Sequence, residues 1–194
     1  LMPFCNVLIE EDFNGNDATN DWFIGQATDS VIRFGDNAYQ VLLADRGNGS
    51  DEPTSWGSLR GFIHQNGTVE AIIYANPFNA TVSSRTGLWL RYQTESDFLA
   101  FMIRGDGAYR IALWDGEYHD LVGWTTTNAL ATGDNVRNTL RISVNDNRYS
   151  FYINGQFIRN VTDNTWDAGR IAFWGSSPVT PAMFALDYIR ICSN

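Results

Sequence analysis

Turn-forming residues punctuate this chain roughly every 8–12 positions, and that spacing limits what it can fold into more than any other feature. Between the turns lie short runs: VIRF, AYQVLL, GSLRGFI, TVEAIIYA, GLWLRYQ, DFLAFMIR, AYRIALW, TLRISV, RYSFYI, GRIAFW and FALDYIRI. They are rich in β-branched and aromatic side chains, which fit a pleated, half-buried surface. No segment holds an apolar 3.6-residue period over three turns; Thr126 to Thr132 offers room for one short helix. The expected fold class is all-β, a sandwich or barrel, in a single domain spanning residues 1–194. Hydrophobic residues make up 44 %, enough for a sizeable core.

No apolar run approaches the roughly 18 residues of a membrane span. The net charge is -9, and all 13 cations are arginine. An acidic balance argues against a nucleic-acid partner. The lack of lysine excludes Schiff-base chemistry and a Walker-type phosphate loop.

Cys5 and Cys192 stand at the two ends of the chain, outside any CxxC or Cys/His cluster, which argues against zinc. One disulfide joining the ends implies an oxidising compartment; two buried free thiols are the alternative. The sequence reads as a mature secreted chain, its leader removed. Sequons at Asn48, Asn66, Asn79 and Asn160 matter only where the source glycosylates, and some arise by chance in an asparagine-rich chain. Residues 44–57 form the longest polar loop, with an acidic patch of Asp45, Asp51 and Glu52 expected to stay solvated.

The middle of the chain fixes a register. With a four-residue turn at Thr94 to Asp97, Arg91 falls opposite Ala100. One face then carries Leu88, Leu90, Tyr92, Leu99, Phe101 and Ile103. A one-residue slip would bury arginines. Gly107 closes the next turn at positive φ and pairs Met102 with Arg110. An Asp115-Gly116 turn then brings His119 alongside Ala112. The face turned from the core shows Arg91, Arg104 and Arg110 among Trp89, Phe98, Met102 and Trp114. A further hairpin turns at Asn154-Gly155.

The stretch LRISVNDNRYSFYINGQFIRNVTD (140–163) resembles the "v-NG" hairpin of concanavalin A-like jelly-roll domains, including laminin-G-like modules. ESDFLAFMIRGDGAYRIALW is similar to their central hairpin. LIEEDFNGN and ALDYIRI resemble the first and last strands of laminarinase-type glycoside hydrolases. The likeness covers roughly residues 7–191. It implies a jelly-roll β-sandwich of two antiparallel sheets, six or seven strands each. Adjacent termini would bring Cys5 near Cys192. Retaining glycosidases of that fold carry two carboxylates about 5 Å apart, written ExDxxE. The comparable segment here, Glu95-Ser96-Asp97, has Ala100 in the acid/base position and falls on the expected turn. His64 and His119 are the only histidines, 55 positions apart, and read as surface or core imidazoles rather than a catalytic pair. The resemblance also implies a structural Ca2+ held by Asp12, or Glu11 instead, and by Asp187, with carbonyls and water completing six to eight oxygens. The alternative is that Asp187 pairs with an arginine.

Carbohydrate is bound by aromatic platforms and planar donors. Trp89 and Trp114 would stack on a sugar, and Arg91, Arg104 and Arg110 would donate, favouring an acidic glycan. Arginines stacked on aromatics and paired with Glu70 or Asp120 would be ordinary architecture instead. Trp22, Trp56, Trp124 and Trp166 read as plugs at the sandwich edge. The expected function is a secreted, non-catalytic carbohydrate-binding or adhesive module, its partner a glycan or cell-surface polysaccharide. One alternative is a structural subunit of a sheath or filament, whose apolar N-terminal segment adds to a neighbour's edge in a homo-assembly. Another is a glycosidase-like enzyme with unusual residues.

Overall fold

A computed structural model describes residues 5–14, 21–45 and 53–193. Asn48, Asp51, Glu52 and the first four positions lie outside them. Fifteen strands follow in chain order: β1 (Asn6–Glu11), β2 (Gly25–Gln26), β3 (Ser30–Gly35), β4 (Ala38–Leu43), β5 (Thr54–Ser58), β6 (Gly67–Asn76), β7 (Arg85–Thr94), β8 (Asp97–Arg104), β9 (Ala108–Trp114), β10 (Tyr118–Thr126), β11 (Asn138–Asn145), β12 (Arg148–Ile153), β13 (Gln156–Thr162), β14 (Arg170–Ser176) and β15 (Ala182–Ser193). They form two antiparallel sheets, as the turn spacing predicts. The expected helix is absent: β10 runs to Thr126, and turn follows.

One sheet has nine strands, ordered β13-β12-β11-β6-β15-β4-β3-β2 with β1 beside β15; the other has six, ordered β10-β9-β8-β7-β14-β5. The first exceeds the expected size because both chain ends join it. Strand β15 pairs with β4 through Ala182–Leu186 and with β1 through Ile189–Ser193. The first and last strands therefore lie side by side, and Cys5 is disulfide-bonded to Cys192 with Cα atoms 5.6 Å apart. Closing so long a loop contributes up to about 5 kcal/mol in the chain-entropy description. Asn6–Ile9 pairs with β15 of its own chain along one edge.

Alternation in the strands fills the space between the sheets. Leu88, Leu90, Leu99, Phe101, Ile111 and Phe173 point inward from the six-stranded sheet. Val69, Ile73, Ile142, Phe151, Phe184 and Ile189 meet them from the other. Phe101 and Phe151 touch edge to face across the layers at 4.9 Å. A buried phenylalanine of this kind is worth about 3–5 kcal/mol against alanine.

Met102 pairs with Arg110 as expected, and Gly107 closes that turn at φ 88. Asn154 and Gly155 also take positive φ, as a type I′ hairpin requires. Two pairings differ from expectation. Trp89, not Arg91, faces Ala100, because β7 carries a bulge between Leu90 and Thr94 with Arg91 at φ 55. Past the bulge the parity inverts: Arg91 turns between the sheets and Tyr92 turns outward. Gly169 packs on the bulge so closely that an added Cβ would stand 2.4 Å from the Arg91 carbonyl carbon. In the other, Asp120 rather than His119 pairs with Ala112, which places Asp120 on the outer face instead of against the core.

Candidate functional site

The outward face of the six-stranded sheet is built in rows across the strands. One row reads Ser58, Ala172, Trp89, Ala100, Ala112 and Asp120 from β5 to β10. The next reads Trp56, Trp174, Gly87, Met102 and Arg110. On the other side of Trp89, Phe98 pairs with Trp114 and Trp114 with Tyr118. Ala172 and Ala100 flank Trp89, and Gly87 lies beside Trp174, so these two rings have small cross-strand neighbours.

The result is a second apolar cluster, separate from the core between the sheets. Trp89 lies at its centre, with its ring 3.9 Å from Phe98 and 5.8 Å from Trp174, both stacked. It faces outward, as predicted, yet is only 4 % exposed because its neighbours cover it. It is floor, not platform. The reachable rings are the half-buried Trp56 at one edge and Trp114, Tyr118 and Trp124 at the other. The indole N–H groups of Trp89 and Trp174 have no acceptor among the described residues. Reading Trp56 and Trp124 as edge plugs leaves two rings out of this face, and Trp174 is legible only as the outward partner of Ala172 in RIAFWG. Trp22 is a plug, buried against Phe13 and Tyr39.

The three arginines do not act together. Arg91 is 1 % exposed and lies between the sheets. Its Nε donates to the Tyr149 hydroxyl at 3.0 Å, and Nη1 and Nη2 donate to the carbonyls of His64 and Asp146. It is removed from any outer-face site. Arg104 and Arg110 are on the face, but each is neutralised. Arg104 pairs with Asp106 at 2.7 Å and lies 4.3 Å over Trp124. That hydrogen bond holds the Asp106 carboxyl below its usual range. Arg110 donates to Asp120 at 2.5 Å, with its guanidinium 4.5 Å over Tyr118.

The other sequence candidates find local partners. Glu95 and Ser96 form the β7–β8 turn, with the Thr94 hydroxyl donating to Asp97 at 2.6 Å. His64 is buried and His119 is exposed, bonded to Asp115 at 2.8 Å. Asp187 gives both carboxylate oxygens to Arg137 at 2.8 and 3.1 Å. Asp12 accepts the backbone N–H of Asn14, which lowers its pKa. Glu11 is buried at the end of β1. Among the described residues no three His, Cys, Asp or Glu converge. Asp187 thus pairs with an arginine, the alternative that the sequence reading left open.

No protein-family model matches the chain, and no curated protein matches it in sequence. Solved structures do match in shape. A GlcNAcα1-4Gal-releasing endo-β-galactosidase from Clostridium perfringens superposes with a TM-score of 0.69 at 10 % identity, over 96 % of this chain and 62 % of the enzyme. The chain thus spans under two thirds of that protein. The carbohydrate-binding module CBM66 from Bacillus subtilis gives 0.62 at 14 % identity, over 86 % of this chain and 91 % of the module. A Bacillus licheniformis β-glucanase gives 0.68 at 11 % identity, over 97 % and 99 %. Hydrolases and binding modules thus share this architecture, and a common fold does not choose between them. With its two antiparallel sheets and its adjacent first and last strands, the chain has the concanavalin A-like jelly-roll fold of the lectins and glucanases.

Proposed function

We propose that this protein is an extracellular, non-catalytic carbohydrate-binding module that seats a glycan across the outer face of the six-stranded sheet. The observation that carries this reading is the aromatic face itself. Closely packed rings form a floor under Trp56, Trp114, Tyr118 and Trp124, whose half-buried edges remain reachable. Rings of this kind bury the apolar side of a pyranose, and flanking planar donors reach its hydroxyls. The glycan is neutral. Arg104 and Arg110 are each paired with an aspartate and Arg91 is buried, so no free positive field from these three awaits an acidic ligand. The non-catalytic assignment rests on Ala100, which stands in the acid/base position of the ExDxxE pattern and faces outward between Trp89 and Ala112.

The test is retention on an immobilised panel of neutral glucan, galactan and fructan oligosaccharides beside uronate and sulfated ones. Wild type is expected to bind a neutral member, and Trp114→Ala to weaken that binding at least about tenfold, or roughly 1.4 kcal/mol. Absence of wild-type binding to every member would overturn the reading, as would release of aryl sugars from chromogenic glycosides for its non-catalytic part.

A further inference from the structure

Beyond β5, the last strand of the aromatic sheet, the outer face does not simply end. A cavity of about 420 Å³ opens there, between β5 and the β2–β3 edge of the nine-stranded sheet. That volume falls in the range of roughly 300–1,000 Å³ typical of small-molecule sites. Its principal side chains are Phe23, Trp56, Arg60, Tyr92, Glu95 and Arg170.

Each side chain is held in a defined way. The Arg60 guanidinium lies 4.7 Å over the Phe23 ring, and that of Arg170 lies 4.7 Å over Tyr92. Arg170 also donates from Nη2 to the Gln93 carbonyl at 3.2 Å, while the Trp56 indole donates to the Tyr92 hydroxyl at 3.4 Å. Planar donors already fixed on rings lose little freedom when they bind a ligand. Glu95, at the β7–β8 turn, adds an acceptor. Three rings, two stacked donors and two carboxylates, Glu95 and Asp29, line one cleft with no net charge, which suits a polyhydroxylated ring better than an anion. Tyr92 is available here only because the Arg91 bulge turns it outward.

The cleft is continuous with the face already described, because Trp56 belongs to both; its ring is 5.4 Å from that of Trp89. Phe23, the Gly25–Ala27 segment and Ile32 of the opposite sheet wall its far side. We infer that the cleft receives the terminal residue of a neutral glycan whose following residues cross the aromatic face, so that the protein recognises chain ends. This rests on the carbohydrate reading above.

The experiment compares oligosaccharides of increasing length, taken from whichever neutral member of the panel wild type retains, in binding to wild type, Ala27→Trp, Arg60→Ala and Trp114→Ala. Ala27 is an exposed cleft residue, and tryptophan there fills the space. Arg60 is exposed, which makes Arg60→Ala a second variant little prone to misfolding. Both cleft variants are expected to lose about tenfold at every length, whereas Trp114→Ala loses affinity for the longer chains alone. If both cleft variants bind all lengths as wild type does while Trp114→Ala is impaired, the chain-end inference is overturned and the aromatic-face reading stands. If wild type retains nothing on the panel, both fall together.

Discussion

The Arg91 guanidinium donates from Nε to the Tyr149 hydroxyl at 3.0 Å and lies 5.6 Å over the tyrosine ring, joining the two sheets beside the β11–β12 turn. The Tyr149 hydroxyl and the His64 and Asp146 carbonyls that accept from it are all neutral. Truncating it would leave the buried Tyr149 hydroxyl without its partner, while the His64 carbonyl keeps the Gly169 N–H and Asp146 is exposed. Arg91→Met is therefore expected to destabilise by about 1–3 kcal/mol. For a chain of this size that lowers the melting temperature by roughly 5 °C. Below the transition, glycan retention should stay at the wild-type level, because the side chain does not reach the outer face. Trp114→Ala should do the reverse, losing retention with little change in melting. Thermal denaturation followed by retention on the same samples separates the two.

Arg91 also marks where the sequence stops being readable. Alternation through Leu88, Trp89 and Leu90 assigns their faces correctly, since a slip would bury polar groups. The double insertion beyond Leu90 has no local signature; it is held by Gly169 and Tyr149, 78 and 58 positions away. Nearby acids decided the other two arginines. Asp106 and Asp120 sit beside Arg104 and Arg110 through turn geometry and a one-residue difference in the β9–β10 register. By contrast the Asn154-Gly155 turn and the disulfide were legible, because each is marked by residues whose chemistry permits few alternatives, and the β1–β15 pairing followed from the resemblance. The edge cleft was not, since Arg60, Tyr92 and Arg170 come from three separate segments.

The pairing of Arg110 with Asp120 sets a second expectation. If charge does not carry ligand binding, retention of a neutral glycan should be nearly constant from about 0.05 to 0.5 M salt, where the Debye length falls severalfold. Asp120→Asn frees the Arg110 guanidinium while leaving the rings in place. That variant should gain severalfold on the sulfated and uronate members of the panel, and the gain should vanish at high salt. Strong salt dependence of the wild type on the neutral glycan would count against the neutral assignment.

The described sequons are not equivalent. The Asn66 amide donates to Asp146 at 3.1 Å and accepts its N–H at 2.7 Å. Asn79 donates to Asp134 at 3.1 Å and accepts from both the N–H and the hydroxyl of Thr81. Transfer of a glycan needs the amide nitrogen, which both have committed. Asn160 is exposed on the edge strand β13, and its contact is through Oδ1, which accepts from Ser150 at 2.8 Å. In a glycosylating host, peptide mass spectrometry is expected to find Asn160 occupied and Asn66 and Asn79 bare. A glycan there would also shield an open sheet edge from pairing with other chains. Occupancy at Asn66 instead would show that its loop opens before folding is complete.

His64 makes stability depend on pH in a direction that can be worked out. Its imidazole is buried, and neither ring nitrogen has a partner among the described residues. Burial first, and the Arg91 charge second, push its pKa down to about 4. An unfolded histidine titrates near 6.5. Between those values the unfolded chain takes up a proton that the folded chain refuses, so the unfolded state binds more protons and stability falls as the pH falls. The contribution is fully present above about pH 6.5, is lost progressively down to about pH 4, and is constant below that. The loss is of order 3 kcal/mol. Urea unfolding at about pH 7.5 and 4.5 measures it, with His64→Leu as the control that removes the titrating group while keeping a buried apolar side chain. Carboxylates contribute equally to both proteins and cancel in the difference. The variant should therefore lose clearly less stability than wild type over this interval, and equal losses would mean that His64 is protonated in the folded protein.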